Sequence, residues 1–507
     1  MKTFGQAAKS LILLSFTTVA FSQFSSAQEQ FRLSDYKNPD YKWKQLDLRF
    51  GLGGTNSFIK QEIENGIDVK GNTNTLQSGI GADYYATKNS KFYQGYQDFS
   101  VSGDFVGSSY SYTNLKDNLG NDQKSNYQRI LLGGQTVNRF YNNKKRFVEI
   151  DLELDAGLYN SIHKFSADEE FLPYRDKSTD YTNFVTASLP LLIGTGRIEE
   201  VQDARLAVYI LDDLTNAGDL KRTPTPDEIL AFSRFITQTK NQRFFDSRIR
   251  KIAEITAIDS ILTVLDLKAQ SDASYFTLIN DNWDNGNGPV RKTGGRFSIG
   301  LMPAVDLSYN ESQDFFRDTI NNPDIIESYS HKNTTHNDSW NLDAIAGYEW
   351  QKPANLYWQH TVNTGIAYSL YYEQENSKVF DMDTLTSEQK RRLNTPNLKI
   401  DLGYTIGYYP NSRTSIKLGI ETSLEQYWGN EKVNDDPETD AGRTLLNNDL
   451  YLSCYYYISP QVRLSVNINS AYLFSKTNQP LPDEEYGYRT SHDLHNSVSA
   501  SLTYSIF

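Results

Sequence analysis

Apolar and polar residues alternate along most of this chain. In FVEIDLELDAGLY (147–159), Val148, Ile150, Leu152 and Leu154 take every second position, and Glu149, Asp151, Glu153 and Asp155 take the positions between. A period of two gathers the apolar side chains on one face of a strand and the acids on the other, whereas on a helix both sets would scatter around the axis. The pattern recurs in LKIDLGYTIGYY (398–409), where Leu398, Ile400, Leu402, Tyr404, Ile406 and Tyr408 oppose Lys399, Asp401, Gly403, Thr405 and Gly407. It recurs again in VRLSVNI (462–468), with Arg463, Ser465 and Asn467 on the polar face. Followed along the chain it predicts fourteen strands: 45–54, 76–87, 97–110, 128–141, 146–159, 181–193, 296–309, 340–351, 356–373, 397–409, 414–427, 448–458, 462–474 and 493–506.

The connections between these strands alternate in length. The odd ones, 55–75, 111–127, 160–180, 310–339, 374–396, 428–447 and 475–492, are long and rich in Asn, Asp, Ser, Thr and Lys. The even ones are tight: TKNSK (87–91), YNNKKR (141–146), KPAN (352–355), PNSR (410–413) and SPQ (459–461); only 195–293 breaks the rule. Outer-membrane barrels join their strands by short periplasmic turns and long outer loops. A soluble β-sandwich, the other home for such strands, has no reason to keep that order. The expected fold is a transmembrane antiparallel β-barrel of about 14 strands with its N-terminus in the periplasm.

The exception is helical in pattern. Val201, Ala204, Val208, Leu211 and Leu214 recur at helical spacing over 198–217, and Gly218 suits a helix end. Thr225-Pro226-Asp227-Glu228 has the spacing of a capping box with proline at the first helical position. A third helix is expected over 246–267, with Ile249, Ile252, Ile255, Ile258, Leu262 and Leu265 along one side. By parity this α-helical insert lies on the periplasmic side, between strands six and seven. It sits below the barrel or folds up as a plug, and the narrow lumen of fourteen strands favours the former. Its apolar stripes are read as faces of its own bundle, with a partner groove as the other reading.

The N-terminus and composition add a compartment. Lys2 and Lys9 precede LILLSFTTVAF (11–21), and Ser25-Ser26-Ala27 offers small residues for cleavage, so 1–27 reads as a signal peptide. The expected organisation is signal peptide 1–27, first half of the barrel 28–194, helical insert 195–293 and second half 294–507. No later segment has the length of uncharged apolar chain that a spanning helix needs. Cys454 is the single cysteine, so no internal disulfide can form. The chain has 34 Tyr, 26 Phe and 6 Trp, residues that suit strands and membrane interfaces. A mean hydropathy of -0.59 is low for a helical membrane protein but tolerable where alternate residues touch lipid. A net charge of -13 argues against a nucleic-acid partner.

Chemistry is sparse. His163, His331, His336, His360, His492 and His495 fall in no ligand spacing, and His492 and His495 fall on opposite faces of one strand. NDDPETDAG (434–442) and NDNWDNGNG (280–288) lack the ligand order of a calcium loop and read as solvated loops. No Ser, His and acid set assembles at one rim. Neither an enzyme nor a cofactor is expected.

With these features the chain resembles Gram-negative outer-membrane β-barrel proteins, porin-like in the broad sense. The resemblance rests on the signal peptide, the alternating strands and the final segment SVSASLTYSIF (497–507), where Val498, Ala500, Leu502, Tyr504 and Ile506 share a face and Phe507 ends one residue out of phase. It implies residence in the outer membrane, contact with its lipid bilayer, and recognition of the C-terminal strand by the barrel-assembly machinery. The expected function is a channel or transporter for small solutes with an acidic, cation-favouring lumen strand. Glu149, Asp151, Glu153, Asp155, Lys399, Asp401 and Arg463 would line that lumen. The alternative is a structural or assembly component whose periplasmic helices bind a partner protein. The acids are either unpaired and cation-attracting or neutralised by Arg129 and Arg139 to brace the wall. A turn at 142–145 sets Asn138, Thr136 and Gly134 opposite them, and a slip of one residue reverses that.

Overall fold

The computed structural model describes residues 31–504 apart from 62–68, 115–118, 168–173, 243–246, 287–289, 319–326, 460–461 and 481–485. The expected signal peptide and Phe507 lie outside the described residues. Before the insert run β1 (Tyr41–Gln61), β2 (Val69–Ser90), β3 (Tyr93–Asn114), β4 (Leu119–Tyr141), β5 (Arg146–Ile150), β6 (Leu152–Ala167), β7 (Tyr174–Ser188) and β8 (Leu191–Glu200). Four helices follow: α1 (Gln202–Ala217), α2 (Pro226–Lys240), α3 (Ser247–Val264) and α4 (Ala273–Asn285). The remaining strands are β9 (Lys292–Asp318), β10 (Glu327–Pro353), β11 (Trp358–Asp381), β12 (Thr384–Asn394), β13 (Asn397–Tyr408), β14 (Thr414–Tyr427), β15 (Asn430–Val433), β16 (Thr439–Asp440), β17 (Arg443–Tyr457), β18 (Val462–Pro480) and β19 (Tyr486–Tyr504).

These nineteen strands form one antiparallel sheet, where the sequence pattern predicts fourteen. Two prolines account for the extra divisions. Pro190 separates β7 from β8, and because proline has no N–H to return to the ladder it also interrupts the strand opposite, at Asp151 between β5 and β6. Asp151 still donates its N–H to the Pro190 carbonyl at 3.0 Å. Pro396 acts likewise between β12 and β13, with Trp428 opposite donating to its carbonyl at 2.9 Å, and the gap passes on through Gly429 to Ala441. Register is unbroken across each gap: Thr136↔Leu152 and Arg139↔Glu149 belong to one ladder, as do Ser188↔Ala304 and Leu191↔Leu301.

Much of what the sequence assigns to long loops is strand. β1 and β2 cover most of 55–75, and β9, β10, β11 and β12 reach deep into 310–339 and 374–396. Polar composition marks these ends as rising beyond the apolar zone without removing them from the ladder, since backbone pairing does not require apolar side chains. One face carries exposed apolar residues on strand after strand, among them Leu48 and Phe50 on β1, Ile130 and Leu132 on β4, Ile299 and Leu301 on β9, Ile366 and Leu370 on β11, and Val498 and Leu502 on β19.

Among the described residues the insert contains four helices, where the sequence pattern predicts three. β8 continues to Glu200, so α1 starts at Gln202 and not near 198, and α4 occupies part of the segment read as a solvated loop at 280–288. Asp272 caps α4 by accepting from the Tyr275 N–H at 2.9 Å. The capping box at α2 forms as expected, with the Thr225 N–H donating to Glu228 at 2.8 Å. Leu206, Ile210, Leu214, Phe232, Ile236, Ile258, Leu262, Tyr275, Ile279 and Trp283 make one buried core. The expected stripe of α3 is only partly internal, because Ile249 and Ile252 are exposed.

This bundle is fastened to the short-turn end of the sheet. Arg291, fully buried, donates to the carbonyls of Asn355 at 2.9 Å, Trp358 at 2.8 Å and Leu356. Tyr409 takes the Tyr209 hydroxyl on its carbonyl at 2.9 Å, and its ring packs against the guanidinium groups of Arg205 and Arg291. Burial, then the neighbouring charge of Arg205, pushes Arg291 down to about 10. Arg413 pairs with Asp281, and Arg197, near the end of β8, reaches Asn89 at the end of β2 and Lys91 in the turn that follows. The N-terminal segment joins the same assembly, with Tyr36 buried and hydrogen-bonded to Thr237 at 2.5 Å. Gly196 and Gly294 mark where the β8–β9 ribbon runs on past its neighbours β5 and β10: both have positive φ (99° and 119°), and a Cβ would lie 2.1 Å from the Gly295 carbonyl oxygen and 2.2 Å from that of Arg197.

Candidate functional site

The acid ladder lies on the polar face of β5 and β6, opposite the exposed apolar residues, but its partners differ from those the sequence suggests. The turn that closes β4 on β5 has three residues, 143–145, with the Asn142 N–H donating to the Arg146 carbonyl at 2.9 Å and Lys145 in the left-handed region at φ 57°. An odd turn length shifts the register by one. Arg139, Val137, Gln135 and Gly133 therefore face Glu149, Asp151, Glu153 and Asp155, in place of Asn138, Thr136 and Gly134.

The ladder splits in two. Glu149, 4% exposed, is gripped by Arg139 through a forked pair at 2.5 and 2.7 Å. Asp151 is also buried and accepts the Asn138 N–H at 3.0 Å. Glu153 and Asp155 are exposed. Glu153 takes only neutral donors, Gln135 at 3.3 Å and Ser188 at 3.2 Å, and neither acid makes an ion pair among the described residues. Arg129, the other expected neutraliser, is spent on Asp104 at 2.6 Å. The four acids thus meet different surroundings: Glu149 is paired with Arg139, Asp151 is buried on a backbone N–H, and Glu153 and Asp155 make no ion pair among the described residues.

Lys399 and Asp401 share this face on β13, with Lys399 between Asp401 at 3.7 Å and Glu425 at 3.4 Å. Arg463, on β18, lies over the Tyr455 ring at 5.0 Å. The seven expected residues are therefore on one face but not in one cluster. What the sequence pattern passed over is the number of further acids there. The registers place Asp306, Asp343, Glu421 and Asp449 on the same face as the ladder, and none of them makes an ion pair among the described residues. Their signal was the same alternation, as in LDAIAGY (342–348), with acids set apart by neutral residues in place of four in a row. The cations on this face are largely consumed by cross-strand carboxylates: Arg49 by Asp83 at 2.8 Å, and Arg296 by Glu349 at 2.8 Å.

No family model matches the chain, and no curated protein matches it. Among solved structures it is similar to the transport unit of the autotransporter AIDA-I from Escherichia coli, at 10% identity and a TM-score of 0.19, over 98% of each chain. It is similar also to the toluene transporter TodX of P. putida, at 11% identity and a TM-score of 0.23, over 93% of this chain and 91% of that one. The translocator domain of the autotransporter NalP from Neisseria meningitidis matches at 11% identity and a TM-score of 0.17, over 85% of this chain and 94% of that one. All three are outer-membrane β-barrel proteins. With scores this low, the reading of this fold rests on the sheet itself.

Proposed function

We propose that the chain is an outer-membrane β-barrel channel for small solutes with a cation-favouring lumen, and that its helical insert lies in the periplasm. The observation that carries this reading is the two-faced sheet. An exposed apolar band repeated from β1 to β19 is far larger than the patches a soluble monomer carries, and it suits lipid. The opposite face is polar and dominated by acids. Because register runs through every proline gap, we read the nineteen strands as fourteen passes. β1 and β19 are the edges, with no ladder between them among the described residues. In a bilayer their free N–H and C=O groups need partners, so the two edges pair and close the wall.

Within such a wall the unpaired acids enrich cations, because low-dielectric surroundings focus their field. The test is the reversal potential across a planar bilayer in a salt gradient. Replacing Glu153→Gln and Asp155→Asn together leaves the Arg139–Glu149 pair intact and should lower cation preference, most at low salt where the Debye length is long. A folded double variant with an unchanged reversal potential sinks the reading.

The second reading, a partner-binding insert, is supported by Ile249 and Ile252 standing exposed on α3. If that surface holds a protein partner, Ile252→Glu should abolish co-purification from the envelope while conductance persists.

A further inference from the structure

A cleft of about 570 Å³ separates the insert from the start of β1 and the end of β2. That volume falls within the range of small-molecule sites, roughly 300–1,000 Å³. Aromatic rings and charges line it together: Tyr41, Trp43, Tyr85 and Trp283, with Lys240, Arg250 and Lys251 against Glu200, Asp203, Glu254 and Asp284. Each cation has its own carboxylate. Lys240 pairs with Asp203 at 2.8 Å, Arg250 with Glu254 at 2.8 Å, and Lys251 with Asp284.

Glu200 supplies the fourth carboxylate, which makes no ion pair or side-chain hydrogen bond among the described residues. Lys292 is its cross-strand neighbour and its charge is felt there, but the two form no ion pair. On β1 and β2 the Trp43 and Tyr85 rings pack at 5.2 Å between centroids, and Glu200, at the end of β8, is close enough for its charge to act on Tyr85. The far wall shows the complete form of this chemistry, since the Lys240 ammonium lies 5.5 Å from the centre of the Trp283 ring while paired to Asp203. Trp43, Tyr85 and Glu200 supply the rings and a carboxylate that makes no ion pair among the described residues.

We propose that this cleft binds a small organic ammonium compound, its charge set against the rings of Trp43 and Tyr85 and countered by Glu200. Aromatic faces are the usual recognition of quaternary ammonium groups, and a nearby carboxylate adds direct charge attraction. This goes beyond the channel reading, as the cleft lies between the insert and the short-turn end of the polar face, and uses none of the lumen acids.

The experiment is calorimetric titration of the full chain, folded in detergent, with choline and with its uncharged isostere 3,3-dimethyl-1-butanol. Choline should bind saturably and the alcohol at least about tenfold more weakly. Glu200→Gln and Trp43→Leu should each weaken choline at least about tenfold, while the Glu153→Gln, Asp155→Asn double variant should bind as the native chain does. No saturable choline binding, equal binding of the alcohol, or an unchanged affinity in folded Glu200→Gln overturns the proposal. Loss of binding in the lumen variant also overturns it, because that places the ammonium in the barrel. Should Glu200→Gln fail to fold, the comparison of choline with the alcohol on the native chain decides.

Discussion

Glu149 and Glu153 stand four residues apart on the same face of one wall and meet opposite environments. Glu149 is buried on Arg139, with their side chains 5% and 17% exposed, so truncating one partner strands the other's charge. Arg139→Ala should cost on the order of 3 kcal/mol in urea unfolding followed by tryptophan fluorescence. The paired replacement Arg139→Met with Glu149→Leu should recover most of that loss, because no lone charge is then left buried. A single variant as stable as the native chain contradicts the bracing role. Glu153, exposed and with only neutral donors, should tolerate Gln with little change in stability. The acids themselves were plain in the sequence, but their partners were not. A three-residue turn without glycine, closed by a left-handed Lys145, gave no local signal and set the register of the whole hairpin.

At the scale of elements, α2 is the part most legible beforehand. Thr225 and Glu228 satisfy each other's backbone donors, and Arg222 adds a forked pair to Glu228 at 2.7 and 2.9 Å. The pair with Arg222, then the Thr225 N–H, holds the Glu228 carboxyl down to about 2, from an ordinary 4.5. Because the folded value is the lower one, the carboxylate stabilises the helix start above about 4.5 and that contribution is lost as pH falls toward 2. Hydrogen exchange of the first turn of α2, corrected for the intrinsic rate, should quicken across that window in the native chain. Thr225→Ala should raise local opening by about 1 kcal/mol at neutral pH. Exchange independent of pH between 5 and 2 contradicts the assignment. The division of the strands was harder to read, because Pro190 and Pro396 each interrupt a neighbour as well as their own strand, and the neighbour's sequence carries no mark of it.

Over the whole molecule, the insert reaches the turns at 355–358 and 409–413 and faces the start of β1 and the end of β2 across the cleft, so it lies at the short-turn end of the sheet. The proposed topology sets that end in the periplasm and the long β9–β10 hairpin outside. In a Cys454→Ser background, a single cysteine at Asn333 should label in intact cells with an impermeant maleimide, and one at Lys221 only after the outer membrane is opened. The reverse pattern inverts the topology. Fastening also bears on conduction. Arg291→Met removes the donors that hold the turn at 355–358, and conductance should rise if the insert narrows the periplasmic mouth. An unchanged conductance in a folded variant means that solute does not pass beneath it.

The sequence by itself determined the period of two, the face each side chain takes, the alternation of short and long connections, and the helical character of 202–264. These are local properties: pleat and helix geometry act over two to four residues, and the residues carry the pattern themselves. Tertiary structure alone decided which acids are neutralised, since that depends on the register between strands and one residue of turn length moves every cross-strand pair. It decided also where the insert docks and that Trp43, Tyr85 and Glu200 share a cleft. Those residues lie far apart in the chain, and only closing the loops between them brings their surfaces together.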